Sequence, residues 1–155
     1  MATPLITFEQ WRLRTVMPPE SVDALEMRRP GYVAARLALR TTEIHARLAK
    51  RYAVPFASPA PDVACMWLEQ IVTGDAYEAL GYAPGAHDER IIEAAKAAQE
   101  ALKEAANSEV GLYELPLRAD LAASEGVERG GPLFYAEQSP YEWTDAQVAA
   151  VRGTS

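Results

Sequence analysis

Two histidines, one cysteine and a few neighbouring carboxylates are the side chains of this chain that could carry catalysis or hold a metal. His45 and His87 fall on different predicted helices, and Glu43 is out of helical phase with His45 for a paired ligand set. A boundary histidine is therefore the expected role. Cys65 lies on an apolar helical stretch with no histidine near it, which suits a core thiol better than a nucleophile. Asp88 with Glu89, and Glu100 with Glu104, sit on a helical pattern whose composition suits a solvated face rather than an acid–base pair. Neither a glycine-rich phosphate loop nor a Gly-x-Ser-x-Gly elbow occurs in the sequence. The expectation is no enzyme activity, no catalytic residue, no metal and no cofactor.

Two other groups of residues point toward binding. Arg36, Arg40, Arg47 and Arg51 recur at helical spacing and can share one face, with Lys50 beside them. They could dock on acidic side chains of a neighbouring copy, and Glu93, Glu100 and Glu104 on a later helix would supply the acid in a heterologous contact. They could equally be a solvated face whose charges partner Glu43 and other local carboxylates. The second group is the tail, where Leu133, Phe134, Tyr135, Tyr141 and Trp143 occur in a stretch too short to form its own core. Such an arm either folds back on its own bundle or orders on a partner, where aromatics bury large area at modest entropic cost. The glycines at 126, 130 and 131 ahead of it favour the second alternative.

Composition narrows the classes further. At 155 residues, with 49% apolar and 24% charged residues, the chain has the make-up of one globular domain with room for an appendage. A net charge of -7 argues against an embrace of the phosphate backbone, which needs clustered lysine and arginine. A single cysteine cannot form an intrachain disulfide, so nothing calls for an oxidising compartment. No apolar run approaches the roughly 20 residues that span a bilayer, and the first residues lack the pattern of a signal peptide. Cytoplasmic synthesis is expected, without membrane association.

The elements that must position these groups read as helices. Thr7 followed by Gln10 forms a capping-box pattern that opens a short helix to about Arg14. Pro19 suits the first turn of a second, near Glu20 to Met27. A long helix is expected from Gly31 to Tyr52, with Val33, Leu37, Ile44 and Leu48 on its buried stripe. Pro55 then makes a stiff elbow, and a helix from about Asp62 to Leu80 carries Val63, Trp67 and Ile71 on one side. An alanine-rich helix from His87 to about Asn107 can let its partner backbones approach closely, and Gly111 is a plausible stop. Leu112 to Leu117 reads as extended, with Pro116 confining it to an edge or a non-strand. Thr144 with Gln147 is a second capping-box pattern near the end.

The fold class is thus all-α, a small helical bundle with short N-terminal helices and an extended C-terminal arm. The expected organisation is a bundle over residues 1–111, an extended segment and linker over 112–131, and a docking arm over 132–155.

In this order of elements the chain resembles the head-to-tail connector proteins of tailed bacteriophages, the adaptor and head-completion proteins beneath the portal ring. The long helix ending Arg51-Tyr52-Ala53-Val54-Pro55 is similar to the arginine-tyrosine, one or two residues, proline ending of that family. The opening Pro59-Ala60-Pro61-Asp62-Val63, the helix Ile91 to Leu102, and the late Ser139-Pro140-Tyr141-Glu142-Trp143 segment look like their counterparts there. The likeness covers about Glu20 to Gly111 and the tail, whereas Leu112 to Gly131 departs from shorter connectors. It implies a structural virion protein in the phage neck, a homo-oligomeric ring of about twelvefold symmetry. Portal protein would bind on one side and tail or neck proteins on the other, and genomic DNA would pass through the lumen without sequence-specific binding. The arm residues named above would dock on the portal. A soluble helical protein-binding or assembly-factor module, capturing a partner through the same arm, is the alternative, and a small helical enzyme with no visible site is a third.

Overall fold

The computed structural model describes residues 3–81, 86–108 and 112–121, without the side chains of 86–88. All of these belong to the unit that ends at Leu121. Five α-helices are assigned among the described residues: α1 Phe8–Arg14, α2 Pro19–Arg28, α3 Tyr32–Leu48, α4 Asp62–Leu80 and α5 Ala86–Asn107. No strand is assigned among them, so the fold is an all-α helical bundle.

Local chemistry accounts for most of the helix boundaries. At the start of α1 the Thr7 hydroxyl accepts from the Gln10 amide at 3.3 Å and the Gln10 side chain accepts from the Thr7 amide at 2.9 Å, a complete capping box. Pro19 opens α2, where its missing N–H costs nothing. Gly31 turns the chain into α3 with φ 74°, a left-handed conformation that glycine adopts without a Cβ penalty. There Glu26 of α2 accepts from the Gly31 amide at 2.7 Å and the Val33 amide at 3.3 Å, which places a carboxylate at the positive end of α3.

The long helix is shorter than its pattern suggests. α3 ends at Leu48, not Tyr52, because the next residues pair with the segment that follows α5. The Ala53 amide donates to the Pro116 carbonyl at 2.8 Å and the Arg118 amide to the Arg51 carbonyl at 3.1 Å, forming an isolated antiparallel bridge between Tyr52 and Leu117. Arg51 therefore leaves the helix that carries Arg36, Arg40 and Arg47, and the four do not form one helical face. The Arg118 guanidinium also reaches the Ala49 and Lys50 carbonyls, both at 3.4 Å, a cation at the negative end of α3.

α4 is the middle of the core rather than a helix with one apolar side. Trp67 and Ile71 are buried and Val63 is only half-buried, while Ala64, Cys65, Leu68, Val72, Thr73, Gly74 and Ala76 are buried around the rest of its circumference. A helix apolar on most sides has partners on most sides, and α2, α3 and α5 all pack against α4. The contact with α5 depends on small residues, as its alanine content suggests. A Cβ added to Gly74 would lie 2.6 Å from the Ala95 Cβ, a separation that only a shift of one helix could relieve.

Trp11, fully buried, ties α1 to this centre. Its indole N–H donates to the Thr73 hydroxyl at 3.2 Å, and the Thr15 hydroxyl lies 2.9 Å from the same oxygen. Thr73 is thereby a buried polar group with its bonds made. Leu115 is buried and Leu112 and Leu117 pack against the core, so the segment after α5 closes the bundle.

Candidate interaction surface

The arginine stripe divides by partner. Arg40 holds Asp75 of α4 in a bidentate pair, Nε to Oδ2 and Nη2 to Oδ1, each 2.8 Å, and its Nη1 donates to Glu43 at 2.6 Å. Arg47 donates to the other Glu43 oxygen at 2.7 Å. The hydrogen bond to Asp75 is the main reason that the Arg40 pKa is raised, against the opposing effect of burial. The Glu43 pKa is lowered, first by its hydrogen bond from Arg40. Arg40 is thus engaged in joining α3 to α4. Arg36 differs: its Nε donates to the Tyr32 hydroxyl at 3.1 Å and its guanidinium lies 5.2 Å from the centre of that ring.

On α5, Glu93, Glu100 and Glu104 are exposed, and Lys103 lies 3.5 Å from Glu100. Their separations of seven and four residues put them on one face, shared with the exposed Glu89. That face and the Arg36–Arg47 region of α3 belong to different helices, and no described contact joins the two sets.

His45 joins no cluster of metal-ligating side chains among the described residues. His45 is half-buried, its ring edge-on to Phe56 at 5.4 Å, and burial lowers its pKa, so the imidazole is neutral at pH 7. The side chain of His87 lies outside the described residues, among which no cluster of three metal-ligating side chains occurs. Cys65 is buried, and desolvation raises its thiol pKa, the opposite of what a nucleophile needs.

Three arrangements carry no local signal in the sequence. The first is Asp75, the partner of Arg40 at a separation of 35 residues. The second is the Thr73 bridge beneath Trp11. The third is Tyr52, fully buried, whose hydroxyl donates to the Ala105 carbonyl at 3.2 Å and accepts from the Leu112 amide at 2.9 Å. One phenol therefore joins the end of α3, the end of α5 and the closing segment.

Several large apolar side chains stay exposed among the described residues, Leu13, Met27, Leu39 and Tyr113 among them. A groove of about 270 Å³ runs between the end of α1, α4 and α5, lined by Val16, Ile91 and Ala94 with both Glu69 and Arg90 at its wall. Burial raises the Glu69 pKa, an effect that Arg14 partly offsets. On α3, Leu39 is 55% exposed. The arm residues Leu133, Phe134, Tyr135, Tyr141 and Trp143 lie outside the described residues.

The site and fold together define a small all-α bundle with solvent-facing helical surfaces, and no described helix is long and apolar enough to cross a membrane. No protein-family profile, curated protein or solved structure matches the chain.

Proposed function

We propose that this chain is a structural virion protein of a tailed bacteriophage, an adaptor that forms a ring between the portal and the tail and passes DNA through its lumen. The observation that carries the reading is the elbow after α3. Arg51-Tyr52-Ala53-Val54-Pro55 is the segment that most resembles the connector family, and Tyr52 is the residue on which the end of the bundle is built. A motif that sets the geometry between two long helices supports kinship in architecture better than a surface motif would.

In this reading the bundle forms the ring wall and identical subunits meet through unlike faces. A twelvefold ring matches the symmetry that the resemblance implies. The arm from about Pro132 to Arg152 docks on the portal through Leu133, Phe134, Tyr135, Tyr141 and Trp143, with tail or neck proteins on the other side. Acidic side chains toward the lumen would repel phosphates, so the genome slides without sticking. No enzyme activity or cofactor is part of the function.

Replacing Tyr141 and Trp143 together by alanine tests the docking role. Aromatic anchors at the centre of an interface contribute on the order of 2 kcal/mol each, so if the two losses add, portal binding should weaken on the order of a thousandfold. Co-purification of portal with the variant at the wild-type level would contradict the assignment.

A further inference from the structure

His45 stands at a join between three parts of the fold. It lines a cavity of about 470 Å³ that the N-terminal segment closes with Thr3, Pro4 and Leu5 and the elbow closes with Pro55, Phe56 and Ser58. The imidazole and the Phe56 ring meet edge-on, 5.4 Å between centres. One turn earlier on α3 the buried Thr41 hydroxyl accepts from the Leu5 amide at 3.2 Å, so one face of α3 holds both segments. The hold on the elbow is slight. From Pro55 to Pro59 only Phe56 is withdrawn from solvent, and it is half-buried. A segment with so few buried contacts opens locally at low cost.

The surroundings of the imidazole suit its neutral form. Its Nε2 is buried and has no hydrogen-bond partner among the described residues. A neutral ring can leave that nitrogen bare, whereas a protonated ring carries an N–H on both nitrogens and a charge that an apolar wall does not stabilise. No carboxylate is at hand, because residues 3–8 and 53–61 contain no ionisable side chain. On α3 the nearest ionisable residues, Glu43 and Arg47, pair with each other at 2.7 Å. Beyond the two segments, Glu9 is exposed and Asp62 lines a separate groove with Arg14. Desolvation is accordingly what lowers the His45 pKa.

We propose that the N-terminal segment and the elbow form an acid-sensitive latch on α3, closed over neutral His45 and released when its imidazole takes a proton. In the open form the ring faces water and regains the ordinary histidine pKa of about 6.5. Closure is undisturbed above that pH and weakens as pH falls below it, until pH has passed below the closed-state pKa as well. Each pH unit between the two proton affinities is worth about tenfold in the opening equilibrium. The segment that opens joins α3 to α4, so acid loosens that joint while the packing between the two helices persists. The latch is independent of the adaptor reading, which is decided by the location of the chain in assembled particles.

Hydrogen exchange of the full chain at about pH 7.5 and about pH 5, corrected for the pH dependence of the chemical step, tests it. Protection of the Leu5 amide and of the Val54, Phe56, Ala57 and Ser58 amides should fall on acidification, while that of the α4 core stays. His45→Phe keeps a ring beside Phe56 and cannot be protonated, so its protection should be the same at both pH values. His45→Gln serves in its place if circular dichroism shows that the Phe variant does not fold. In a His87→Gln protein the one remaining imidazole should titrate by NMR below the ordinary histidine pKa and lose its contact with Phe56 over the same pH range. Wild-type protection that acid leaves unchanged, or an imidazole that titrates at the ordinary value, would overturn the latch. So would a fall shared equally by wild type and His45 variant, as titration of the Met1 amine would give.

Discussion

Tyr52→Ala is expected to destabilise the bundle by about 3–5 kcal/mol, the range for removing a large buried aromatic side chain. Beyond the lost packing, the change leaves the Leu112 amide and the Ala105 carbonyl without the hydroxyl that joins them. Small domains are stable by only about 5–15 kcal/mol, so such a loss is a large share of the total. Thermal melting should show a fall in Tm on the order of 10 °C. Tyr52→Phe separates the two contributions. It keeps the ring in place and removes the hydroxyl, so it should cost about 1–3 kcal/mol, the penalty for leaving buried backbone groups unpaired. A Phe variant as stable as the wild type would show that the hydroxyl is dispensable to the closing segment.

Truncation after Gly131 should have the largest effect on function and little on folding. Among the described residues the buried core extends from Ile6 to Leu115, all within the unit that ends at Leu121. The shortened chain should retain the helical circular dichroism signal and cooperative melting of the full chain. Under the adaptor reading it should also lose portal attachment, and heads assembled with it should fail to retain DNA or acquire tails. Particles of normal infectivity made with this truncation would contradict the role assigned to the arm. A truncated chain that no longer folds would instead show that the arm belongs to the core.

The parts of this fold legible in the sequence are those set by local chemistry. Thr7 and Gln10 cap α1 by contacts three residues apart, and Pro19 opens α2 through its own backbone restriction. Val33, Leu37, Ile44 and Leu48 line up because a helical period does not depend on what the stripe packs against. The end of α3 was not legible in the same way. Residues 49–52 have helical composition, yet the chain leaves the helix because Arg51 and Ala53 bond to Arg118 and Pro116, about 65 residues away in sequence. The same distance hid the roles of Asp75 and Thr73, since a carboxylate and a hydroxyl on a helix carry no mark of the arginine or indole that reaches them. Val63, Trp67 and Ile71 were expected on one side of α4, but the helix is buried on most sides, and a centre of packing has no polar face to reveal its phase.

The candidate surface follows the same division. The burial of Cys65 agrees with its place on an apolar helical stretch. The arginine stripe looked uniform in one dimension and comprises four environments: the bidentate pair of Arg40, the stacked guanidinium of Arg36, the exposed ion pair of Arg47 with Glu43, and Arg51 beyond the helix end. Which charges are spent within the subunit is a property of packing, and spacing alone does not contain it.

The adaptor assignment is tested most directly by imaging assembled particles at a resolution that shows helices, and asking where this chain lies. The account predicts a ring of helical bundles seated against the portal, with a segment from each subunit's last residues resting on portal density. Particles whose necks lack the bundle, or bundles whose C-terminal segments touch only their own subunit, would contradict it.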